Sequence, residues 1–369
     1  MSLLPGDSTP TSLDSGKSEN AIELKATEGL SQGQIVRRRF VRHRAAMAAL
    51  GVLLFIVVMA VTSIGWGPLP GWWKWDYTST HPVALPGGRP TLDIGFWHLS
   101  FGDHPFGQDI LGHDMFAMTM RGVQQSLTVM VLIGLIAALV GIVIGALAGF
   151  FPGKVDTVAM RFTDMFIAVP ALVIGAVLGK WVNGASAVTL GVALGLVQWM
   201  SMGRLVRAEF LTLREREFVD AARVAGASSS RIIVKHILPN AIGVVIVNTT
   251  LLMSLAILLE TSLSYLGFGI VYPDISLGNL ISEYQTSFAE RPWLFWWPGV
   301  FIVAIALAVN FVGDGLRDAF DPRQRRIPSA RAMARAARRT LAAGSPGTRR
   351  LAGLRPKGEK DGAQPEATQ

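Results

Sequence analysis

The sequence predicts an all-α integral membrane protein with six transmembrane helices. Three observations predict it. Half of the 369 residues are hydrophobic, only 16% are charged, and mean hydropathy is positive at +0.41. Six stretches stay apolar over about 20 residues, the length a bilayer core requires. Arginine and lysine gather in alternate loops between these stretches, the bias expected of segments retained on the cytoplasmic side.

Residues 1–33 are rich in Ser, Thr, Gly and acids, show no apolar periodicity, and read as a disordered tail. Residues 34–44 form a basic amphipathic lead-in carrying Arg37, Arg38, Arg39, Arg42 and Arg44. The first span, 45–64, has no small-residue cleavage site and reads as an uncleaved anchor. The arginines before it place the N-terminus in the cytoplasm. The long loop 65–126 then lies outside, with Asp76, Asp93, Asp103, Asp109 and Asp114. In its second half, 106–125, Ile110, Leu111, Met115, Phe116, Met118 and Met120 predict a helix lying on the outer surface.

The remaining spans are 127–150, 158–178, 187–202, 242–263 and 296–312. The loop before the fifth carries seven Arg or Lys from Arg204 to Lys235 and falls inside; the next loop, 264–295, carries only Arg291 and falls outside. The tail after Gly313 is dense in arginine. Both termini are therefore expected in the cytoplasm. Trp72, Trp73 and Trp75 on one side and Trp293, Trp296 and Trp297 on the other have the look of interfacial anchors. Residues 329–343 have helical propensity and dense Arg, which fits a solvated basic tail or a surface helix held by anionic lipid. Residues 344–369 read as disordered.

Several chemistries are excluded. With no Cys there is no disulfide, thiolate metal site or Cys nucleophile. No GxxxxGK[ST] loop is present, so any ATP hydrolysis belongs to another chain. None of the six His lies in a span and no HExxH occurs, which disfavours a membrane enzyme. His104, His113, Asp109 and Asp114 share one outer loop, a weak metal candidate. The net charge of +8 sits beside spans and in the tails, which argues for membrane and against nucleic acid.

Ionisable or polar groups within spans are costly. Arg161 and Asp164, at i, i+3, are expected to pair with each other. Gln198, Asn248, Thr249, Thr250 and Glu260 either line a translocation path or make structural hydrogen bonds; Glu260 could instead pair with a base outside. Gly134, Gly141, Gly145 and Gly149 fall on nearly one face of the second span, as close helix packing requires.

The polar stretch EFVDAARVAGASSSRIIVKHILPNA, 217–241, carries the strongest functional signal. It reads as helix, break, helix. Glu217, Asp220 and Arg223 share a face, with Phe218, Ala221, Ala222 and Ala225 on much of the rest. Gly226 supplies a left-handed C-cap, Ser228 or Ser229 an N-cap, and Pro239 is expected to stop the second helix. Small alanines let another protein's backbone come close.

This stretch resembles the EAA loop of ABC importer permeases: Glu-Ala-Ala, three residues, Gly, nine residues, then Ile-x-Leu-Pro. Asp220 stands for the Glu, Gly226 is in register, His236 replaces the Ile, and Leu238-Pro239 match. HPFGQDILGHD (104–114), LSYLGFG (263–269) and GDGLRDAFDPR (313–323) are similar to the dipeptide/oligopeptide/nickel branch, closest to its C-type subunits. The resemblance covers about 36–323. It implies a type I importer permease with a five-helix core after the N-terminal span. The implied organisation is a tail 1–33, lead-in and first span 34–64, extracytoplasmic loop 65–121, core 122–316 with the EAA-like loop at 214–240, and basic tail 317–369. It further implies peptide import by alternating access, with no catalysis in this chain and no metal. Expected partners are a B-type permease subunit, two ABC ATPase subunits that hold ATP and Mg, and an extracytoplasmic substrate-binding protein, in a bacterial inner membrane. The residues it assigns to ATPase coupling are Glu217, Asp220, Ala221, Ala222, Gly226, His236 and Pro239. Import of nickel or another small solute, or a stand-alone secondary transporter, are the alternatives.

Overall fold

The computed structural model describes residues 32–94, 99–181 and 186–321. The expectations for 1–31 and for the Arg-rich tail beyond 321 lie outside the described residues. Gln32 and Gly33, placed in the tail by composition, already belong to the first helix.

The chain is helical, with two small two-stranded hairpin pairings on the loop that follows the first span. Helix α1 spans Gln32–Arg42 and α2 spans Arg44–Ser63. His43 separates them, its Nδ1 accepting the Ala46 N–H at 3.1 Å as an N-cap. Strands β1 (Gly65–Trp66) and β2 (Leu69–Pro70) pair antiparallel, as do β3 (Asp93–Ile94) and β4 (Leu99–Ser100). Then come α3 (Met115–Phe150), α4 (Lys154–Ile167), α5 (Ala171–Trp181), α6 (Ala187–Gly195), α7 (Met200–Leu213), α8 (Glu217–Val224), α9 (Leu238–Tyr265), α10 (Leu277–Tyr284) and α11 (Pro292–Phe320).

Four helical rods are long and apolar enough to cross a membrane, and two further pairs, α4 with α5 and α6 with α7, are so only when taken together, bent by 84° and 42°. Counting each bent pair as one span gives six, in the order expected. Neither bent pair is the straight helix the hydropathy pattern predicts. In the third span Pro170 has no N–H to donate and pushes Val169 away from helical ψ, so the helix ends at Ile167 and restarts at Ala171. In the fourth, the turn from Leu196 to Trp199 follows Gly195, and the span runs on to Leu213.

Helix α3 is the axle of the bundle. Its glycines lie against neighbouring helices, as their spacing predicts. A Cβ on Gly141 would sit 2.7 Å from the Met202 side chain, one on Gly145 2.5 Å from the Gly203 carbonyl, and one on Gly149 2.6 Å from Phe210 Cβ, so these three form a seam with α7. Gly134 instead meets Met253 of α9. Backbones this close maximise dispersion contacts where lipid offers no hydrophobic drive. Gly145→Leu is expected to open the α3–α7 seam, costing at least the 1–3 kcal/mol typical of overpacking. Thermal unfolding in detergent checks this, with Gly51→Leu, where a Cβ meets nothing within 4 Å, as the unaffected control.

Asp164 does not pair with Arg161. Its partner is Arg204 on α7, and Asp156 pairs with Arg207, again on α7. Two carboxylates on one face of α4 meet two arginines one turn apart on its neighbour, which tertiary packing allows and i, i+3 spacing cannot reveal.

The predicted outer-surface helix over 106–125 is not formed as such. Residues 106–114 form turns and isolated β-bridges, and Met115 begins α3, whose first turns are buried: Met115 and Met120 are fully inaccessible. Ile110 and Leu111 point outward. The tryptophans are also differently placed. Trp72 and Trp296 are exposed, but Trp73 packs on Phe116 (4.6 Å) and Trp297 on Phe106 (3.9 Å), with Phe106 and Phe116 in contact at 5.0 Å. The two tryptophan groups thus lie on the same side, joined in one aromatic cap over α3.

Candidate functional site

The EAA-like stretch folds as helix, break and helix. In α8, Glu217 and Asp220 occupy the first turn and Arg223 the last, each sign where the helix dipole favours it. Gly226 adopts φ +78. The Gly226 N–H donates to the Arg223 carbonyl (2.9 Å) and the Ala227 N–H to the Ala222 carbonyl (3.0 Å), the paired bonds of a Schellman C-cap. The Ser228 hydroxyl accepts from Arg231 N–H at 3.4 Å. The chain continues through a short turn, Ser229–Arg231, and a π-helical segment, Ile232–Ile237, directly into α9.

Pro239 does not stop this second helix. It occupies the first turn of α9, where a missing N–H costs nothing. The preceding π register shifts the Leu238 N–H to the Ile233 carbonyl, and the Asn240 side chain donates to the His236 carbonyl at 2.6 Å. The whole of Ser229–Tyr265 is one helical rod of 37 residues.

One face of the hairpin is anchored. Val219, Ile232 and Ile237 are buried with Val206, Phe210, Ala241 and Val245, and Ala222 and Ala227 pack partly against that cluster. The opposite face is open. Phe218, Ala221, Val224 and Ala225 are exposed, Val224 at 90%. Asp220 is exposed and holds Arg223 at 2.9 Å. Sequence patterning grouped Ala221 with Ala222; the fold divides them, Ala221 outward and Ala222 half inward.

Gly226→Ala should leave packing untouched, since a Cβ there meets nothing within 4 Å. Its cost is conformational, roughly 1–2 kcal/mol for a left-handed non-glycine residue. The expected result is weaker coupling to partner subunits with normal membrane insertion, read by co-purification.

Of the path candidates, Gln198 and Asn248 line one cavity of about 460 Å³, together with Ser201. Phe166, Ile167, Val169, Pro170 and Ala171 form one wall and Val197, Met200 and Met202 another, so both broken spans break at this cavity. Ser201 and the Val169–Pro170 break were not singled out from sequence; a proline between two apolar runs was the available signal. Thr249 does not line the cavity, and its hydroxyl donates to the Val245 carbonyl. Glu260 is fully buried and pairs with no base. The Ser126 and Ser264 hydroxyls donate to its carboxyl oxygens at 2.7 and 2.8 Å, joining α3 to α9.

The outer His/Asp group resolves into two pairs. His104 Nδ1 is 2.7 Å from Asp114 Oδ1, and His113 Nδ1 is 2.7 Å from Asp109 Oδ2. Asp114 also accepts from Ala117 N–H (2.9 Å) and Trp73 Nε1–H (2.8 Å), capping α3. Asp109 accepts from the Leu111 and His113 N–H groups and from the Tyr284 hydroxyl at 3.1 Å. Burial first, then the Asp109 charge, pushes the Tyr284 pKa up, so the hydroxyl stays a donor. Among the described residues no three His, Asp or Glu are grouped to hold a metal ion.

Residues 141–326 match the binding-protein-dependent transport system inner membrane component family, and residues 31–84 match the N-terminal TM domain of oligopeptide transport permease C. The oligopeptide transport system permease protein OppC of Mycobacterium tuberculosis H37Rv is 38% identical over 303 residues, covering 82% of this chain and 98% of the relative. OppC of Escherichia coli K12 is 38% identical over 307 residues, covering 83% and 96%. OppC of Bacillus subtilis 168 is 33% identical over 317 residues, covering 86% and 97%.

Proposed function

Since the chain belongs to the binding-protein-dependent transport system inner membrane component family, as an ABC importer permease of the oligopeptide C type, we propose that it forms one transmembrane half of an ATP-driven importer of di- and oligopeptides. The other half is a B-type permease subunit. Two ABC ATPase subunits supply ATP hydrolysis with Mg, and an extracytoplasmic binding protein delivers substrate. This chain is not an enzyme; it carries the path and the coupling hairpin, in a bacterial inner membrane with cytoplasmic termini.

The observation that carries this reading is the divided hairpin. One face is locked into the core and the other leaves Phe218, Ala221, Val224 and Ala225 exposed among the described residues. A membrane-anchored hairpin with an open small-residue face fits a groove on a soluble partner. Helix α4 supports the paired permease. Of its fourteen residues only Thr163 is buried, and Lys154, Arg161 and Asp164 are exposed beside Val158, Phe162 and Met165. Such a mixed surface suits a protein neighbour better than lipid. The cavity at the two breaks supports a peptide rather than nickel: its polar lining is the amides of Gln198 and Asn248 and the Ser201 hydroxyl, groups that pair with a peptide main chain.

The test is reconstitution in proteoliposomes with all partner subunits. Peptide uptake is expected to require ATP and to stop when the ATPases are omitted. Uptake that persists without them would establish a secondary transporter instead. Topology is checked separately. The chain has no native Cys, so Ser229→Cys should react only with reagent applied from the cytoplasmic side; labelling only from outside would overturn the orientation.

A further inference from the structure

Helix α1 carries five exposed arginines around its length and exit, Arg37, Arg38, Arg39, Arg42 and, just past His43, Arg44, and it contains no acid. The helix is not loosely appended. Ile35, Val36 and Phe40 are partly buried, Phe40 reaching Gly315 of α11. Arg39 donates to the Asp321 carbonyl at 3.1 Å, and His43 Nε2 lies 3.4 Å from the Asp318 carboxylate. These contacts fix the rotation of α1 on α11. The fixed rotation matters because Arg38 and Arg42 are one turn apart at i, i+4, so both guanidinium groups project from the same strip. Val41, 55% exposed, is at i+3 from Arg38 and borders the same strip. The first apolar span begins at Arg44, one residue after the helix break, so the arginine strip of α1 lies within two helical turns of the start of a span.

The geometry points to α1 as a seat for an anionic phospholipid, with Arg38 and Arg42 holding its phosphate. Guanidinium pairs suit phosphate oxygens through paired N–H donors. The place of α1 beside the start of a span favours a phosphate held in the bilayer surface over a soluble anion. The lipid would brace the junction of α1, α2 and the end of α11 and so tie this corner of the permease to the leaflet it enters.

The experiment uses the full chain in its complex, in nanodiscs of phosphatidylcholine alone or mixed with phosphatidylglycerol. Each arginine near such a surface is worth roughly fivefold in affinity, so Arg38→Gln with Arg42→Gln should weaken phosphatidylglycerol retention about 25-fold. Retention is read by native mass spectrometry, and the thermal stabilisation that phosphatidylglycerol gives the parent should vanish. Arg37→Gln with Arg44→Gln removes the same charge elsewhere and should retain most of the lipid. Equal loss in both variants would overturn the seat, leaving only general charge attraction. Inorganic phosphate or RNA matching the stabilisation would overturn the lipid assignment. If the Arg38/Arg42 variant does not assemble, Val41→Cys in the parent carries an environment-sensitive fluorophore. Its emission should shift blue on phosphatidylglycerol vesicles and not on phosphatidylcholine; no difference would overturn the proposal.

Discussion

Replacing Ala221 with tryptophan is expected to strip the ATPase subunits from the complex and abolish transport while the permease pair stays folded. Ala221 is exposed on the open face of α8, between Phe218 and Val224 at helical spacing. An indole there projects away from the chain's own core, so it should cost the isolated permease well under 1 kcal/mol, as most surface changes do. In a groove built for a methyl group the same indole forces the partner surfaces apart. The neighbouring Ala222→Trp gives the contrast. Ala222 packs against the inner cluster of Val219, Ile232 and Ile237, so that change should lower permease stability by roughly 1–3 kcal/mol through overpacking. The measurement is co-purification of the ATPases with the detergent-extracted pair, beside its melting temperature. ATPase retained at full stoichiometry by the Ala221 variant would remove α8 from the docking surface.

The second large effect is expected at Asp114. Its carboxylate is fully buried and serves three groups at once: the His104 ring, the Trp73 indole N–H and the Ala117 N–H at the start of α3. Asp114→Ala leaves a buried imidazole and an indole donor unpaired and removes the cap of the axle helix. Each buried donor left unpaired costs about 1–3 kcal/mol, and the lost cap adds about 1 kcal/mol. Asp114→Asn, which keeps an acceptor oxygen, should recover part of it. Thermal unfolding ranks the three proteins, and protease sensitivity of the loop 65–114 should rise in the same order. An Asp114→Ala protein as stable as the parent would make the outer loop an independent appendage.

Much of this fold was legible because the relevant signals are local or periodic. Apolar length picked out the four long rods and both bent pairs. The four-residue spacing of Gly141, Gly145 and Gly149 exposed the seam with α7, and a lone glycine shortly before three serines marked the hairpin break at Gly226. What stayed hidden depended on distant partners. Nothing near Asp164 names Arg204, 40 residues away. Nothing in HPFGQDILGHD says that its polar side chains turn inward while Ile110 and Leu111 turn out. Hydropathy averages over Pro170, so one span was drawn straight across an 84° bend. For Pro239 the error had the opposite sign. Proline was given its usual weight as a helix terminator, but a π turn ahead of it had already surrendered the hydrogen bond that proline cannot make. Of the path candidates, Gln198 and Asn248 line the cavity at the two breaks, whereas Glu260 is buried among serines, a difference set by packing that residue type does not announce.

The uninterrupted run from Ser229 to Tyr265 has a mechanical consequence. Thirty-seven helical residues make a strut of roughly 55 Å, with its foot one residue beyond the serine that follows the Schellman turn and its head beside the Glu260–Ser264 cluster. A kinked rod would fold under an axial push and dissipate it midway. Beyond the π segment next to its foot this one runs on as a single α-helix from Leu238 to Tyr265. The hairpin and the Glu260–Ser264 cluster are thus the two ends of one continuous member, like the ends of a pushrod.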